Sequence, residues 1–310
     1  GSWFLMILKQ LGAEVKGYSL APKNQHDLYH QIDGDALCDS VIADIRDRER
    51  LKKELLSFQP DFVFHLAAQA LVRYSYDNPI ETYSTNVLGT VSVFEAARKT
   101  NSVKAIVNIT SDKCYDNKEW IWGYRENDPM GGFDPYSASK GCAELVTSAY
   151  RRSFFSSEDS ASLASARAGN VIGGGDWALD RIIPDCVRAW SKDKSVNVRN
   201  PNATRPWQHV LDPLNGYLTL AARLAQDPVK HATGYNFGPN PDDERTVLDM
   251  VELAIENWGE GSYETPKIAN KPHEAGLLKL AIDKAKKDLD WNPGFTSAEA
   301  VKWTVNWYRD

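Results

Sequence analysis

Tyr136 and Lys140 stand four residues apart, just after Pro135. Proline suits the first position of a helix, and in a helix that starts there the two side chains share one face. A phenol titrates near pH ~10 in water. An ammonium held beside it favours the phenolate, and the pair becomes a base that can take a proton from a hydroxyl. The preceding stretch, Thr110-Ser111-Asp112-Lys113-Cys114-Tyr115, adds a hydroxyl, a carboxyl and an amine. It follows the apolar run Val103-Lys104-Ala105-Ile106-Val107-Asn108-Ile109, whose length and branched residues predict a buried parallel strand. Ligands bind at the carboxyl ends of strands in an open α/β sheet. The hydroxyl of Ser111, the carboxyl of Asp112 and the amine of Lys113 therefore sit where chemistry is usually done. A lone Tyr-x-x-x-Lys pair is an ordinary helix surface, and a lone Asp-Lys pair an ordinary solvated loop or cap. The succession of strand, acidic turn and tyrosine helix is what points to catalysis.

The elements that must hold these groups alternate strand and helix, which predicts an α/β protein with a Rossmann-type, doubly wound parallel sheet. A helix runs over 1–12, without the strand such a unit places before it. Short strands are predicted at Ala13–Tyr18, Val41–Asp47 and Asp61–Leu66. His65 in the last of these reads as a satisfied core residue. Small side chains follow in Ala67-Ala68-Gln69-Ala70, where backbone can approach a ligand closely. A helix from Asn86 to Lys99 and the continuation of the tyrosine helix to Tyr150 are both amphipathic. The Ser- and Ala-rich stretch 156–165 reads as a loop. Ala166–Asp176 then leaves a strand for the glycine-rich turn Gly173-Gly174-Gly175 and a mixed second region. Leu214–Leu224 reads as a helix returning to the first part, Tyr235–Gly238 as a short strand, and Trp303–Asp310 as helical.

With 310 residues, 42% hydrophobic and 25% charged, the chain has material for one α/β domain or two closely joined ones. A net charge of −6 without a basic run argues against nucleic acid as the main partner, so an anionic ligand must be held by local cations. No stretch reaches membrane length. Cys38, Cys114, Cys142 and Cys186 are widely spaced and fit a reducing compartment, with cytoplasm the default. His26 and His30 are four apart in a polar stretch without a third ligand, so no metal is expected. Arg205, in Arg205-Pro206-Trp207-Gln208-His209-Val210, is suited to a diphosphate because a guanidinium offers planar, bidentate donors; the competing reading is a surface ion pair.

At Tyr136-x-x-x-Lys140 behind a strand ending in Ser111-Asp112, the chain resembles the extended short-chain dehydrogenase/reductases over essentially its whole length. Thr110-Ser111-Asp112-Lys113-Cys114-Tyr115-Asp116-Asn117 with Tyr136-Ser137-Ala138-Ser139-Lys140-Gly141 is similar to the sugar-nucleotide 4,6-dehydratases, and within them to those acting on CDP-glucose. Lys113, where such enzymes more often carry Glu, is the sharpest mark of that subgroup. The resemblance implies a cofactor-binding part over 1–168, without its first strand and most of its Gly-rich turn, and a sugar-nucleotide-binding part over 169–310, with a segment near 207–237 returning to the first. It implies cofactor contacts from Gly1, Asp44, Ile45, Ala67, Ala68, Gln69, Thr85, Tyr136 and Lys140, and substrate contacts from Asn170, Arg181, Arg205 and His273. Asp44 reads about equally well as a helix cap, and Asn86 beside Thr85 belongs to a segment that contacts the cofactor or braces the site. Gly17-Tyr18-Ser19-Leu20 has no acid to bind ribose hydroxyls and only Lys23 nearby for a phosphate, so NAD as cofactor rests on the resemblance. So do a homodimer through a four-helix bundle, or a tetramer, and a place in making the deoxysugars of lipopolysaccharide. The implied catalytic residues are Ser111, Asp112, Lys113, Tyr136 and Lys140. A sugar-nucleotide 4-epimerase needs the tyrosine and lysine but no elimination pair, and a non-catalytic dinucleotide-binding regulator needs neither.

Overall fold

A computed structural model describes residues 1–157, 160–266 and 274–310. Its central sheet is parallel. Strands β1 (Lys16–Ser19) and β2 (Asp39–Ile42) pair with each other, and β3 (Phe62–His65), β4 (Ala105–Ile109) and β5 (Ser162–Ala168) lie side by side. Short strands β6 (Val171–Ile172), β7 (Val196–Asn197), β8 (Thr204–Arg205) and β9 (Gln208–His209) follow, and β10 (Gly234–Phe237) returns to the sheet next to β5. The order β10-β5-β4-β3 is that of an α/β sheet wound by helical crossovers.

Because side chains alternate across a strand, β4 and β5 feed two cores. Ile106 and Leu163 point to one face, against Val93, Phe94 and Phe155. Val107, Ala164 and Ala166 point to the other, against Leu220, Leu224 and Phe237. The helix Leu211–Gln226 covers this second face closely: a Cβ on Gly216 would stand 2.4 Å from the Phe237 ring. All of β5, Ser-Leu-Ala-Ser-Ala-Arg-Ala, is buried. It begins at Ser162, inside the stretch expected to be a loop, because small residues are what this close packing needs even though they carry little strand signal. The strand expected at 41–47 is also shifted. It spans Asp39–Ile42, and Asp47 instead caps the helix Arg48–Phe58 by accepting from the Arg50 N–H at 3.1 Å.

The remaining chain forms its own core. Helices Ile182–Trp190, Val247–Trp258 and Ser297–Arg309 bury Ile183, Trp190, Met250, Val251 and Val301 with Trp207. Capping boxes at Thr246/Asp249 and Thr296/Glu299 start the last two helices. This third core and the sheet flank a cleft at the carboxyl edge of the sheet. Among the described residues no helix is long and apolar enough to cross a membrane.

Leu163 has no exposed surface, so Leu163→Ala is expected to cost about 2–5 kcal/mol of unfolding free energy, read from urea midpoints of purified wild type and variant. A cost below about 1 kcal/mol would contradict this placement of β5.

Candidate active site

β4 ends at Ile109, and the backbone then makes one tight turn, Asp112–Cys114. Ser111 caps that turn, accepting the Lys113 N–H at 3.2 Å. Its hydroxyl donates to Asp112 Oδ1 at 2.9 Å. Asp112 is 2% exposed, and its Oδ2 has no hydrogen-bond partner among the described residues. Burial pushes the carboxyl up, against the opposing pull of Lys113, the Ser111 hydrogen bond and Arg205. Burial pushes the Lys113 ammonium down; Asp112 opposes this and Arg205 adds to it. Both shifts run in the direction that disfavours the charged forms.

Asp134 starts the next helix, Pro135–Ser153, with Oδ1 accepting the Ser137 N–H at 2.9 Å and Oδ2 the Ser137 hydroxyl at 2.6 Å. Gly141 lets this helix lie against the loop below it, since a Cβ there would stand 2.5 Å from the Gly131 carbonyl. Tyr136 and Lys140 share the inward face, and each is 7% exposed. Burial raises the Tyr136 phenol, and the Ser111 hydrogen bond and Arg181 are the main influences lowering it. Lys140 Nζ donates to the Ile109 carbonyl at 3.4 Å, and burial pulls its ammonium down to about 8. The lysine thus shares the tyrosine's face as the spacing requires, but its ammonium is directed to the end of β4.

Around the residues expected at a cofactor, Ala67 and Ala68 are half-buried behind β3. Gln69 turns its side chain inward, to the Thr82 hydroxyl at 2.9 Å and the Leu71 N–H at 2.6 Å. Asn86 is the brace. Its Oδ1 accepts the Gln69 N–H at 2.8 Å, and its Nδ2 donates to the Gln69 carbonyl at 2.9 Å and to Ser139 Oγ at 2.8 Å. The loop after β3 is thereby tied to the tyrosine helix. Thr85, its neighbour on the wide turn Ser84–Leu88, is half-buried, and such wide turns occur often at functional sites. Asp44 clamps Arg46 through Nε and Nη2 and caps the Arg46 N–H at 2.8 Å. Ile45 fills the space opposite Gly89, where a Cβ would meet it at 2.4 Å. Gly1 is exposed, and a Cβ there would meet nothing. His65 is a satisfied core residue, with Nε2 3.0 Å from Thr90 Oγ1.

Ser111, Asp112, Lys113 and Tyr136 line a cleft of about 840 Å³, together with Asn170, Arg181 and Arg205. Arg205 is 7% exposed and donates to the carbonyls of Thr204, at 2.8 Å, and Ala275. Among the described residues it makes no ion pair, and it acts electrostatically on both Asp112 and Lys113. Arg181 reaches the Ala70 carbonyl at 3.5 Å, and Asn170 lies half-buried where its carbonyl accepts the Gln208 N–H at 2.9 Å. Sequence reasoning missed a charged rim on the same cleft. Asp180 Oδ1 accepts from Arg73 at 3.2 Å and from Arg199 at 2.6 Å, and Arg199 lies 3.8 Å from Glu274. These partners come from separate segments and carry no local pattern. His273 lies outside the described residues.

A tyrosine–lysine helix beside a serine-capped acidic turn, at the carboxyl edge of a parallel sheet, defines the short-chain dehydrogenase/reductase class of α/β enzymes. Residues 1–304 match the family model described as GDP-mannose 4,6 dehydratase, and the chain belongs to that family. It is 50% identical over 317 residues to the CDP-glucose 4,6-dehydratase of Salmonella typhimurium, covering 100% of this chain and 88% of that one. It is 27% identical over 276 residues to a putative UDP-glucose 4-epimerase of Methanocaldococcus jannaschii, covering 87% and 84%. Among solved structures, a dTDP-glucose 4,6-dehydratase from Streptomyces venezuelae with NAD bound superposes with a TM-score of 0.85 at 24% identity, over 100% of this chain and 93% of that one. The UDP-glucose 4-epimerase of Thermus thermophilus in complex with NAD gives 0.84 at 22%, over 100% and 95%. At such identities these two share the fold.

Tyr136→Phe is expected to lower turnover ~10²–10⁴-fold, the usual loss for a positioned acid-base group, while ligand binding and melting temperature stay near wild type. Near-normal turnover would remove the tyrosine from the chemistry.

Proposed function

We propose that this chain is an NAD-dependent hydro-lyase that converts CDP-glucose to CDP-4-keto-6-deoxyglucose and water. The carrying observation is the Ser111-Asp112-Lys113 turn, with Ser111 and Asp112 buried and Lys113 half-buried, facing the same cleft as Tyr136. An oxidoreductase or epimerase on this fold has no use for a desolvated acid beside an amine, whereas an elimination needs both. The 50% identity to a CDP-glucose 4,6-dehydratase over the whole chain supports the substrate.

The residues present suit a dinucleotide. The small pair Ala67-Ala68 admits close approach, and the one long hydrogen bond of Lys140 leaves ammonium hydrogens for ribose hydroxyls. Gly1, Asp44, Ile45, Ala67, Ala68, Gln69, Thr85, Tyr136 and Lys140 would hold it. NAD, when bound, supplies a hydride acceptor at C4 of the sugar and returns that hydride to C6.

The chain's own residues do the rest. Tyr136 takes the C4 hydroxyl proton, and Ser111 hydrogen-bonds the same oxygen. The C4 ketone acidifies the neighbouring C5–H. Asp112, whose carboxyl burial pushes up, gives its proton to the departing C6 hydroxyl. Lys113, pushed toward the free amine by burial and by Arg205, takes the C5 proton and gives a proton back to C5 when hydride reaches C6. The net directions of the two shifts favour this base role over that of a fixed cation. Asn170, Arg181, Arg205 and His273 are proposed for the nucleotide sugar, with the guanidinium of Arg205 for the diphosphate.

The division at 168/169, with 207–237 returning to the first part, belongs to the same proposal and is supported by the pairing of β10 with β5. A homodimer through the helices around Leu88 and Leu145 is supported by the exposure of those side chains, 49% and 61%. Cytoplasmic location and a supply of 4-keto-6-deoxy sugar for deoxysugar synthesis complete it; the free cysteines fit the former.

Incubated with CDP-, dTDP-, UDP- and GDP-glucose, the enzyme is expected to give a product lighter by one water from the CDP sugar. A product of unchanged mass would mean epimerisation, and bound NAD without turnover would mean a regulator. Lys113→Met is expected to oxidise C4 yet stall before elimination, so NADH absorbance builds up in a single turnover and C5 stops exchanging with solvent deuterium. Water loss and exchange at the wild-type rate would take Lys113 out of the elimination.

A further inference from the structure

Behind the reacting groups, and touching none of them, Glu144 and Arg167 form an ion pair at 2.7 Å, with side chains 4% and 7% exposed. Burying two charges contributes little net stability, because desolvation offsets their attraction. What the pair touches is more informative. Glu144 Oε1 accepts the Thr110 hydroxyl at 2.5 Å, and Oε2 accepts the Ser165 hydroxyl at 2.8 Å. Arg167 Nη1 donates to the Tyr115 hydroxyl and to the Glu126 carbonyl, each at 2.8 Å. The Tyr115 hydroxyl in turn donates to Asn236 Oδ1 at 2.6 Å, on β10. Thr110 and Tyr115 are the residues that flank Ser111-Asp112-Lys113-Cys114. Glu144 is one helical turn beyond Lys140, on the face of Tyr136 and Lys140.

We propose that the Glu144–Arg167 pair is the positioning device of this site: it clamps both ends of the Ser111–Asp112–Lys113 turn to the tyrosine helix and sets one fixed negative charge beside the Lys140 ammonium. The inference rests on the dehydratase reading for what the turn does, not for the geometry.

Among the described residues, the other titratable groups that face Lys140 are neutral or raised. His65 faces it from β3 and is held neutral by burial, its ring titrating at about 3. Cys114 faces it from the turn after β4, and burial keeps the thiol protonated by raising it well above its ordinary value. Tyr136, on the same helix, is likewise raised. Burial works to raise the Glu144 carboxyl as well, but the Arg167 charge and the hydrogen bonds from Arg167, Thr110 and Ser165 override it, so this carboxylate stays ionised. Cys114 and then Glu144 act against the desolvation of Lys140, and with the thiol kept protonated, Glu144 is the ionised one of the two.

Three variants separate this role from a merely structural one, each compared with wild type in its pH profile of kcat on whichever nucleotide sugar the wild type dehydrates, and in its melting temperature. Glu144→Gln with Arg167→Gln removes both charges together, so no lone charge is buried. Its basic limb is expected to move down by on the order of one pH unit, since Lys140 loses its proton more easily without the neighbouring carboxylate. Glu144→Asp keeps the charge but shortens the reach, and should lower kcat with the limb in place. Thr110→Val keeps both charges and frees one end of the turn; kcat should fall about tenfold or more with KM and the limb unchanged. A limb that stays put in the doubly neutral variant, or a Thr110→Val enzyme with normal kcat, would overturn the proposal. Absence of CDP-glucose turnover by the wild type would instead count against the functional reading.

Discussion

Desolvation of the Asp112–Lys113 pair is the constraint on which the rest of the structure depends. In water these neighbours would be an ion pair, useless as proton donor and proton acceptor. At 2% exposure, with one carboxyl oxygen unpaired among the described residues and Arg205 nearby, Asp112 is driven toward its acid, and desolvation drives Lys113 toward its amine. A turn that buries its own polar groups must be anchored firmly. The anchors here are Ser111 as cap, Thr110 and Tyr115 at its flanks, and β4 sealed between two cores.

The fold supplies that sealing cheaply. Alternation along β4 sends Ile106 to one core and Val107 to the other, so the strand cannot slip without turning both faces inside out. The Ala and Ser residues of β5 let the helix Leu211–Gln226 approach, and Gly141 lets the tyrosine helix rest on the loop at Gly131. The third core, around Met250 and Trp207, forms the opposite wall of the cleft. Chemistry takes place where the two packed bodies leave a gap.

What was legible in the sequence was local. The four-residue spacing of Tyr136 and Lys140 survives as a shared buried face, and the residues of the Ser111-Asp112-Lys113 turn line the cleft as a strand-end cluster should. β5 was half-hidden, because its residues were chosen for fit against a helix rather than for strand propensity. The charged rim of Arg73, Asp180, Arg199 and Glu274 was invisible, since its members meet only after folding. Asn86 was visible as part of a segment, yet its three hydrogen bonds to Gln69 and Ser139 depend on how the loop and helix cross. Arg205 was legible as a candidate, and its burial against backbone carbonyls was not.

The central claim is that one sugar is oxidised, dehydrated and reduced without leaving the cleft. CDP-glucose carrying deuterium at C4 tests it most directly. The label is expected in the C6 methyl group of the product, read by mass spectrometry and proton NMR. Label that returns to C4, or is lost to solvent, would contradict an intramolecular transfer linked to elimination by Asp112 and Lys113.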